Sequence, residues 1–162
     1  MDPKAVTEPI VLKAVPPGPS ARMIRLRGLA LAVPLLAVLA VAATLTPRKA
    51  GHGTHEQFGL PPCEFLQRTG YPCPSCGLTT SFAAMAHGRI GEAFRAQPFG
   101  VLLSAAVAVL AAAGLGEALT GRGLIEYLRP GPWWAVLAIA GLLAGWIYKL
   151  AAGVANGTLP LR

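Results

Sequence analysis

The sequence predicts an all-α integral membrane protein with three transmembrane helices and two short amphipathic helices at the membrane interface. Hydrophobic residues make up 54% of the 162 residues and charged residues only 13%, which is far more apolar than an ordinary soluble domain. The apolar residues are also concentrated in three long uncharged runs, as in helices surrounded by lipid. We therefore divide the chain into an N-terminal tail over residues 1–27, a membrane domain over 28–155 and a C-terminal tail over 156–162.

The three spans are predicted at about residues 29–46, 98–118 and 133–154. The first is the shortest, and at the rise of an α-helix it covers about 27 Å, close to the ~30 Å hydrocarbon layer. A cleaved signal peptide is the alternative for this run, but the run is longer than a typical signal-peptide core.

Polar and aromatic residues near the ends of the spans indicate where the membrane surface lies. The aromatic residues at the ends of the third run are Trp133, Trp134, Trp146 and Tyr148, which resemble the aromatic belts found at headgroup depth. Lys149 and Glu117 stand near the ends of their helices, so we expect both side chains to extend to the aqueous surface.

Charge points to lipid rather than nucleic acid as the partner. The net charge is +7, but the basic residues are scattered over all the loops and do not alternate with aromatic residues. Anionic headgroups of the bilayer explain this distribution. Arg22, Arg25 and Arg27 precede the first span and predict a cytoplasmic N-terminus, behind a proline-rich and disordered tail. A composition rich in arginine, alanine and glycine favours the plasma membrane of a bacterium.

The segment over residues 47–97 is too long for a simple loop between two spans, and its sequence predicts two short helices. The first has apolar residues at helical spacing from Leu78 to Met85, and Gly88 ends it. The second begins at Ile90 and ends before Pro98. We expect both to lie at the interface or over the ends of the spans. The charged side chains expected to face water are Arg89, Glu92 and Arg95.

The same segment carries all the cysteines of the chain, which are Cys63, Cys73 and Cys76. Pro74 is suited to the first position of a helix, so Cys73 is predicted to cap the first short helix, unless Gly77 moves its start further along. A helix N-terminus favours the thiolate form of cysteine, which serves both metal binding and disulfide exchange.

Three kinds of site are open to these cysteines. Cys63, Cys73 and Cys76 with His52 or His55 would complete a tetrahedral zinc site. A disulfide framework would leave one of the three thiols unpaired. In a redox site, Cys73 would attack a substrate disulfide and Cys76 would resolve it, although no βαβ pattern of a soluble thioredoxin-like domain surrounds them. His87, near the end of its helix, is expected to interact with the helix dipole.

The stretch from Cys63 to Gly100 resembles the bacterial membrane proteins catalogued as domain of unknown function 2752. The matching positions are Cys63, Cys73, Pro74, Cys76, Gly77, Leu78, Thr79, Gly88 and Pro98. Thr80 stands where an arginine is common in that family, and Gln97 stands where the family has asparagine. The activity of the family is uncharacterised, so the resemblance implies the architecture and leaves the activity open.

Gly141 and Gly145 form a G-x-x-x-G face in the third span. We expect this face to pack within the chain, against Gly114 and Gly116, and a homodimer contact is the alternative. No carboxylate pair, phosphate-binding loop or Ser-His-Asp arrangement is apparent. The sequence therefore favours a structural or accessory membrane component, with a membrane thiol-disulfide oxidoreductase using Cys73 and Cys76 as the first alternative and a metal-binding membrane protein as the second.

Overall fold

The computed structural model describes residues 19–128 and 131–157, and these ranges contain helices and loops but no strand. The α-helices are α1 (Ala21–Thr44), α2 (Glu64–Thr69), α3 (Leu78–Ala86), α4 (Ile90–Ala96), α5 (Pro98–Thr120) and α6 (Trp133–Ala155). Two short 3₁₀ helices cover Thr54–Phe58 and Ile125–Leu128. Helices α1, α5 and α6 are long and apolar enough to cross a membrane. The predicted fold class and the two short helices α3 and α4 are confirmed.

The first span begins earlier than the sequence predicts. Helix α1 starts at Ala21 because the Ser20 hydroxyl accepts a hydrogen bond from the Met23 amide at 3.4 Å and caps the helix. The basic residues before position 28 therefore belong to its first turns and not to a tail, while residues 1–18 lie outside the described part of the chain. Helix α5 begins at Pro98, where the missing amide hydrogen has no cost.

Small residues bring α1 and α5 into backbone contact. A Cβ atom added at Gly28 would lie 2.5 Å from the carbonyl oxygen of Gly114 and 2.7 Å from the amide nitrogen of Ala118. A Cβ atom added at Gly114 would lie 3.1 Å from the amide nitrogen of Ala32. Such close approach of two helices is the usual role of small residues spaced four apart in membranes. The principal helix pair of the fold is therefore α1 with α5.

Helix α6 uses its glycine face within the chain, as expected, but against a different partner. A Cβ atom added at Gly141 would lie 2.8 Å from Cδ2 of Phe99, and one at Gly145 would lie 3.3 Å from Cβ of Phe99. The expectation that Gly114 and Gly116 receive this face is wrong: Gly114 faces α1, and a Cβ atom at Gly116 would meet Leu124. Helix α6 thus packs beside the first turn of α5.

Glu117 does not extend to water. Its side chain is fully buried (0% exposed), and it accepts hydrogen bonds from Arg27 Nη2 at 2.8 Å and Nε at 3.2 Å. The amide of Ile125 donates a third bond to the same carboxylate at 2.7 Å. A buried carboxylate is tolerated only with such compensation. This cluster joins the start of α1 to the end of α5, so the two helices are antiparallel.

Replacing Gly28 with leucine should destabilise the protein, because the side chain would enter the backbone of α5. Overpacking of this kind typically costs about 1–3 kcal/mol, which should lower the melting temperature in mild detergent by several degrees. Ala30→Leu is the control, since Ala30 is exposed on the same helix. Circular dichroism would measure both. Equal melting temperatures for the two variants would contradict the close packing.

Candidate functional site

The segment over residues 45–97, called the cysteine module below, packs over one end of the helix pair. Helix α3 contacts α1, α4 and α5, and the 3₁₀ helix Thr54–Phe58 contacts α3. His87 ends α3, and its Nε2 lies 3.0 Å from the carbonyl oxygen of Leu45 at the end of α1. His87 therefore donates a hydrogen bond to the carbonyl group that ends α1, and this bond links α3 to α1.

A buried pair of hydroxyl groups holds the first half of the module on α3. Thr54 and Thr80 are almost fully buried, and their Oγ1 atoms lie 2.8 Å apart. Thr54 Oγ1 also accepts a bond from the Arg48 amide at 3.2 Å. Thr80 stands where the resembling family has an arginine, so in this chain the position is occupied by a buried polar contact. The sequence signals only that Thr80 departs from the family pattern, and it does not reveal the partner.

The three cysteines converge. Their sulfur atoms all lie within 4.8 Å of one another, and the thiols are free. Cys63 immediately precedes α2, whereas Cys73 and Cys76 lie in one tight turn closed by the Cys76 amide and the Cys73 carbonyl oxygen at 3.0 Å. A short helix and the loop after it therefore bring together residues ten positions apart in the sequence.

The prediction that Cys73 caps α3 is wrong. The residue that precedes α3 is Gly77, with φ of 91°, and the helix begins at Leu78. A Cβ atom added at Gly77 would clash with the carbonyl oxygen of Ala96 and lie 2.7 Å from that of Gly51. Both its conformation and its surroundings require glycine, so the cysteine turn lies outside the helix instead of in its first turn.

Three side chains donate hydrogen bonds to the carbonyl groups of this turn, two of them from α6 and one from the residue between α4 and α5. Trp146 Nε1 donates to the Pro72 oxygen at 2.7 Å, and Gln97 Nε2 donates to the Pro74 oxygen at 2.9 Å. Lys149 Nζ donates to the Cys76 oxygen at 3.1 Å. The expectation that Lys149 extends to the aqueous surface is therefore wrong: its ammonium group is directed into the cysteine module, where it also bonds the Gly51 oxygen at 3.2 Å.

The two cysteines of the turn differ in acidity. Burial opposes ionisation of Cys73, but hydrogen bonds from the Ser75 hydroxyl and from the other two thiols outweigh it and lower the pKa of Cys73. Cys76 is only 7% exposed, and burial, reinforced by its thiol neighbours, raises the pKa of Cys76 to about 12. Within the pair, Cys73 is thus the group that ionises first.

The two candidate histidines lie in different cavities. His55 lines a cavity of about 400 Å³ together with the three cysteines, and its Nε2 lies 3.1 Å from the Pro61 carbonyl oxygen. Because a carbonyl can only accept, Nε2 carries the proton, and in the neutral ring Nδ1 keeps its lone pair. His52 lines another cavity beside Lys149, where burial and the lysine charge lower the pKa of His52. Within the described residues, the cluster of potential metal ligands consists of the three cysteines and includes neither histidine.

Trp146→Phe should loosen the cysteine turn, because it keeps the aromatic ring but removes the bond to Pro72. A lost hydrogen bond costs roughly 1 kcal/mol, which corresponds to about fivefold faster reaction of the thiols with a maleimide if the reaction follows local opening. Trp134→Phe is the matched control, since Trp134 is exposed on the same helix. Identical rates in both variants would show that the bond does not hold the turn.

Comparison with known proteins identifies one segment of the chain. Residues 63–111 match the family model described as "Protein of unknown function (DUF2752)", and this range covers all three cysteines, α2 to α4 and the first part of α5. No curated protein and no solved structure matches the chain. Through this segment the chain is similar to the DUF2752 family, which is the family that its cysteine motif predicted.

Proposed function

We propose that this protein is a structural or accessory membrane component whose cysteine module is closed by a zinc ion bound to the thiolates of Cys63, Cys73 and Cys76. The observation that carries the proposal is the convergence of three sulfur atoms within 4.8 Å. A redox pair or a disulfide needs only two neighbouring sulfur atoms, whereas a structural zinc site needs four ligands, of which three can be the cysteine sulfurs. The third sulfur is therefore explained best by a metal ion.

The spacing of the sulfurs supports this reading. Zinc binds thiolates at about 2.3 Å, so two thiolates on one tetrahedral ion stand roughly 3.8 Å apart. Sulfurs that already lie within 4.8 Å would need to approach one another by about 1 Å or less. Side-chain rotation supplies such a movement without rearranging the backbone.

His55 is the best fourth ligand, because it lines the cavity that the cysteines share. A metal-binding histidine usually donates its second ring N–H to a carbonyl or carboxylate group, which orients the ring. The contact of Nε2 with the Pro61 oxygen is of this kind and leaves Nδ1 as the ligand atom. His52 lines a different cavity, so it is the weaker candidate.

Charge also favours a metal complex at this place. Three thiolates and one Zn²⁺ carry a single net negative charge, and the ammonium group of Lys149 is bonded to the backbone of Cys76. The raised pKa of Cys76 means that metal binding must release its proton. Zinc affinity should therefore fall as the pH is lowered, because protons then compete with the metal for the thiolates.

The role of the metal in this proposal is to fix the cysteine module on the membrane helices. It would join the start of α2 to the turn before α3, and that turn is already bonded to α6 by Trp146 and Lys149. Binding free energy at such a site adds to folding free energy. The module would then act as a rigid cap at the membrane surface, without catalysis.

Protein purified in mild detergent without reductant should contain close to one zinc per chain and three thiols that react only after a chelator is added. Cys63→Ser, Cys73→Ser and Cys76→Ser should each lose most of the metal, because the three thiolate ligands are then reduced to two. Thr79→Ala is the control, because Thr79 lines the same cavity and is not a proposed ligand. Elemental analysis with thiol titration would measure both quantities. Three reactive thiols and no metal would refute the zinc site.

A thiol-disulfide oxidoreductase is the second candidate, favoured by the unequal pKa values of Cys73 and Cys76. Cys73 would attack a disulfide of a substrate protein, forming a mixed disulfide and releasing one substrate thiolate. Cys76, after losing its proton, would then attack the Cys73 sulfur, forming a Cys73–Cys76 disulfide and releasing the second substrate thiolate, so that the substrate is reduced and the protein is oxidised. Cys76→Ser should in that case accumulate mixed disulfides on a non-reducing gel of acid-quenched cells, and Cys73→Ser should not. Equal loss of protein in all three serine variants, without adducts, would leave the structural role.

We further propose that the chain lies in the plasma membrane of a bacterium, with its N-terminus in the cytoplasm and the cysteine module outside. The basic residues Arg22, Arg25 and Arg27 support this orientation. Reporter fusions after Gly51 and after Gly123 should be found on opposite sides, with the Gly51 fusion outside. Opposite but reversed sides would refute the orientation, and a shared side would refute one of the spans.

A further inference from the structure

Two neighbouring cavities meet at Tyr148, near the end of α6 that carries Lys149. The first, called the basic cavity below, has a volume of about 410 Å³. Its polar lining consists of the side chains of His52, Arg95, Tyr148, Lys149 and Asn156. All of these can donate hydrogen bonds, and no carboxylate is among the described residues that line the cavity. A cavity of this composition favours an anion.

Arg95 brings a positive charge to this cavity that the described part of the chain does not neutralise. Arg48 pairs with Glu56, and Arg89 pairs with Glu92. By contrast, Arg95 makes no ion pair or side-chain hydrogen bond within residues 19–128 and 131–157. Beside it, Lys149 uses two of its three N–H groups on the carbonyls of the cysteine module and retains one.

The second cavity, called the apolar groove below, has a volume of about 370 Å³ and lies between α5 and α6. Its lining is almost entirely apolar and includes Phe94, Phe99, Leu102 and Ala144. Tyr148 lines both cavities, and the consecutive residues Phe94 and Arg95 each line one of them. A basic cavity and an apolar groove thus adjoin the same side chain on a membrane helix.

We propose that the two cavities together bind one anionic phospholipid, with the phosphate group at Arg95 and Lys149 and an acyl chain in the apolar groove. The planar guanidinium of arginine binds phosphate oxygens in pairs, and lysine adds a point charge. Tyrosine and tryptophan at this end of α6 are typical of headgroup depth, where the phosphate of a lipid is found. Free phosphate would satisfy the basic cavity but would leave the apolar groove without an occupant. The site does not depend on a metal at the cysteines.

The test is native mass spectrometry of the full chain in mild detergent, titrated with dioleoylphosphatidylglycerol, dioleoylphosphatidylcholine or inorganic phosphate. Both lipids carry a phosphate group, but phosphatidylglycerol should bind about tenfold more tightly than phosphatidylcholine, because Arg95 and Lys149 repel the choline ammonium group. Arg95→Gln should remove this preference, whereas Arg122→Gln, an exposed arginine at the opposite end of α5, should keep it. Both variants change exposed residues and should fold normally.

The apolar groove is tested separately by Ala144→Phe, which fills it from an exposed position on α6. This change should lower the affinity for both phospholipids by a similar factor. Ala138→Phe is the control and should lower neither affinity, because Ala138 is exposed and lines neither cavity.

Equal affinity for the two lipids in the unaltered protein would overturn the proposal, as would equal behaviour of Arg95→Gln and Arg122→Gln. Binding of inorganic phosphate that depends on Arg95 and is as tight as that of phosphatidylglycerol would also overturn it, because a free anion and not a lipid would then be the ligand.

Discussion

The structure depends on the hydrogen bonds that satisfy the backbone carbonyl groups of the cysteine turn, a non-helical segment packed against the long helices. The turn that carries Cys73 and Cys76 lies outside the helices, so its carbonyl groups need hydrogen-bond donors from elsewhere in the protein. Trp146, Gln97 and Lys149 donate to three of these carbonyls. Two of the three donors come from α6. The turn and the last span are therefore held by the same hydrogen bonds.

This arrangement explains why α6 is placed where it is. Most of its side chains are exposed within the described chain, as in a helix whose neighbour is lipid. Its close contacts include Phe99, which meets Gly141 and Gly145, and Phe94, whose ring centroid lies 5.6 Å from that of Tyr148. The bonds from Trp146 and Lys149 supply further links to the rest of the protein. A helix attached mainly at one end leaves a groove beside α5, and this groove is where an acyl chain fits. The cysteine site and the lipid site are thus consequences of one attachment.

The two ends of the helix pair each contain a charged side chain turned into the protein, and the two charges are compensated in different ways. At one end a buried carboxylate, Glu117, is neutralised by Arg27 and receives a backbone amide. At the other end the ammonium group of Lys149 makes no ion pair within the described residues and donates hydrogen bonds to the carbonyl groups of Gly51 and Cys76. Gln97 is fully buried there, and within the described residues its Oε1 atom has no hydrogen-bond partner. The positive charge of Lys149 suits the cysteine end to bind thiolate complexes and phosphate groups.

Local features of the sequence are sufficient to predict three helices able to cross a membrane, the two short helices α3 and α4, and the similarity to the DUF2752 family. These features are the length of the apolar runs, the helical spacing between Gly and Pro, and the Cys-Pro-Ser-Cys motif. The sequence also named the three cysteines. Only the tertiary structure decided that α1 packs on α5 through Gly28 and Gly114, and that Glu117 and Lys149 turn inward. Glu117 is bonded to Arg27, ninety positions away in the sequence, and Lys149 is bonded to Cys76, seventy-three positions away. A side chain near the end of a span reaches either water or a polar group of the protein, and which of the two it meets depends on the neighbouring helices and loops, which no local pattern contains.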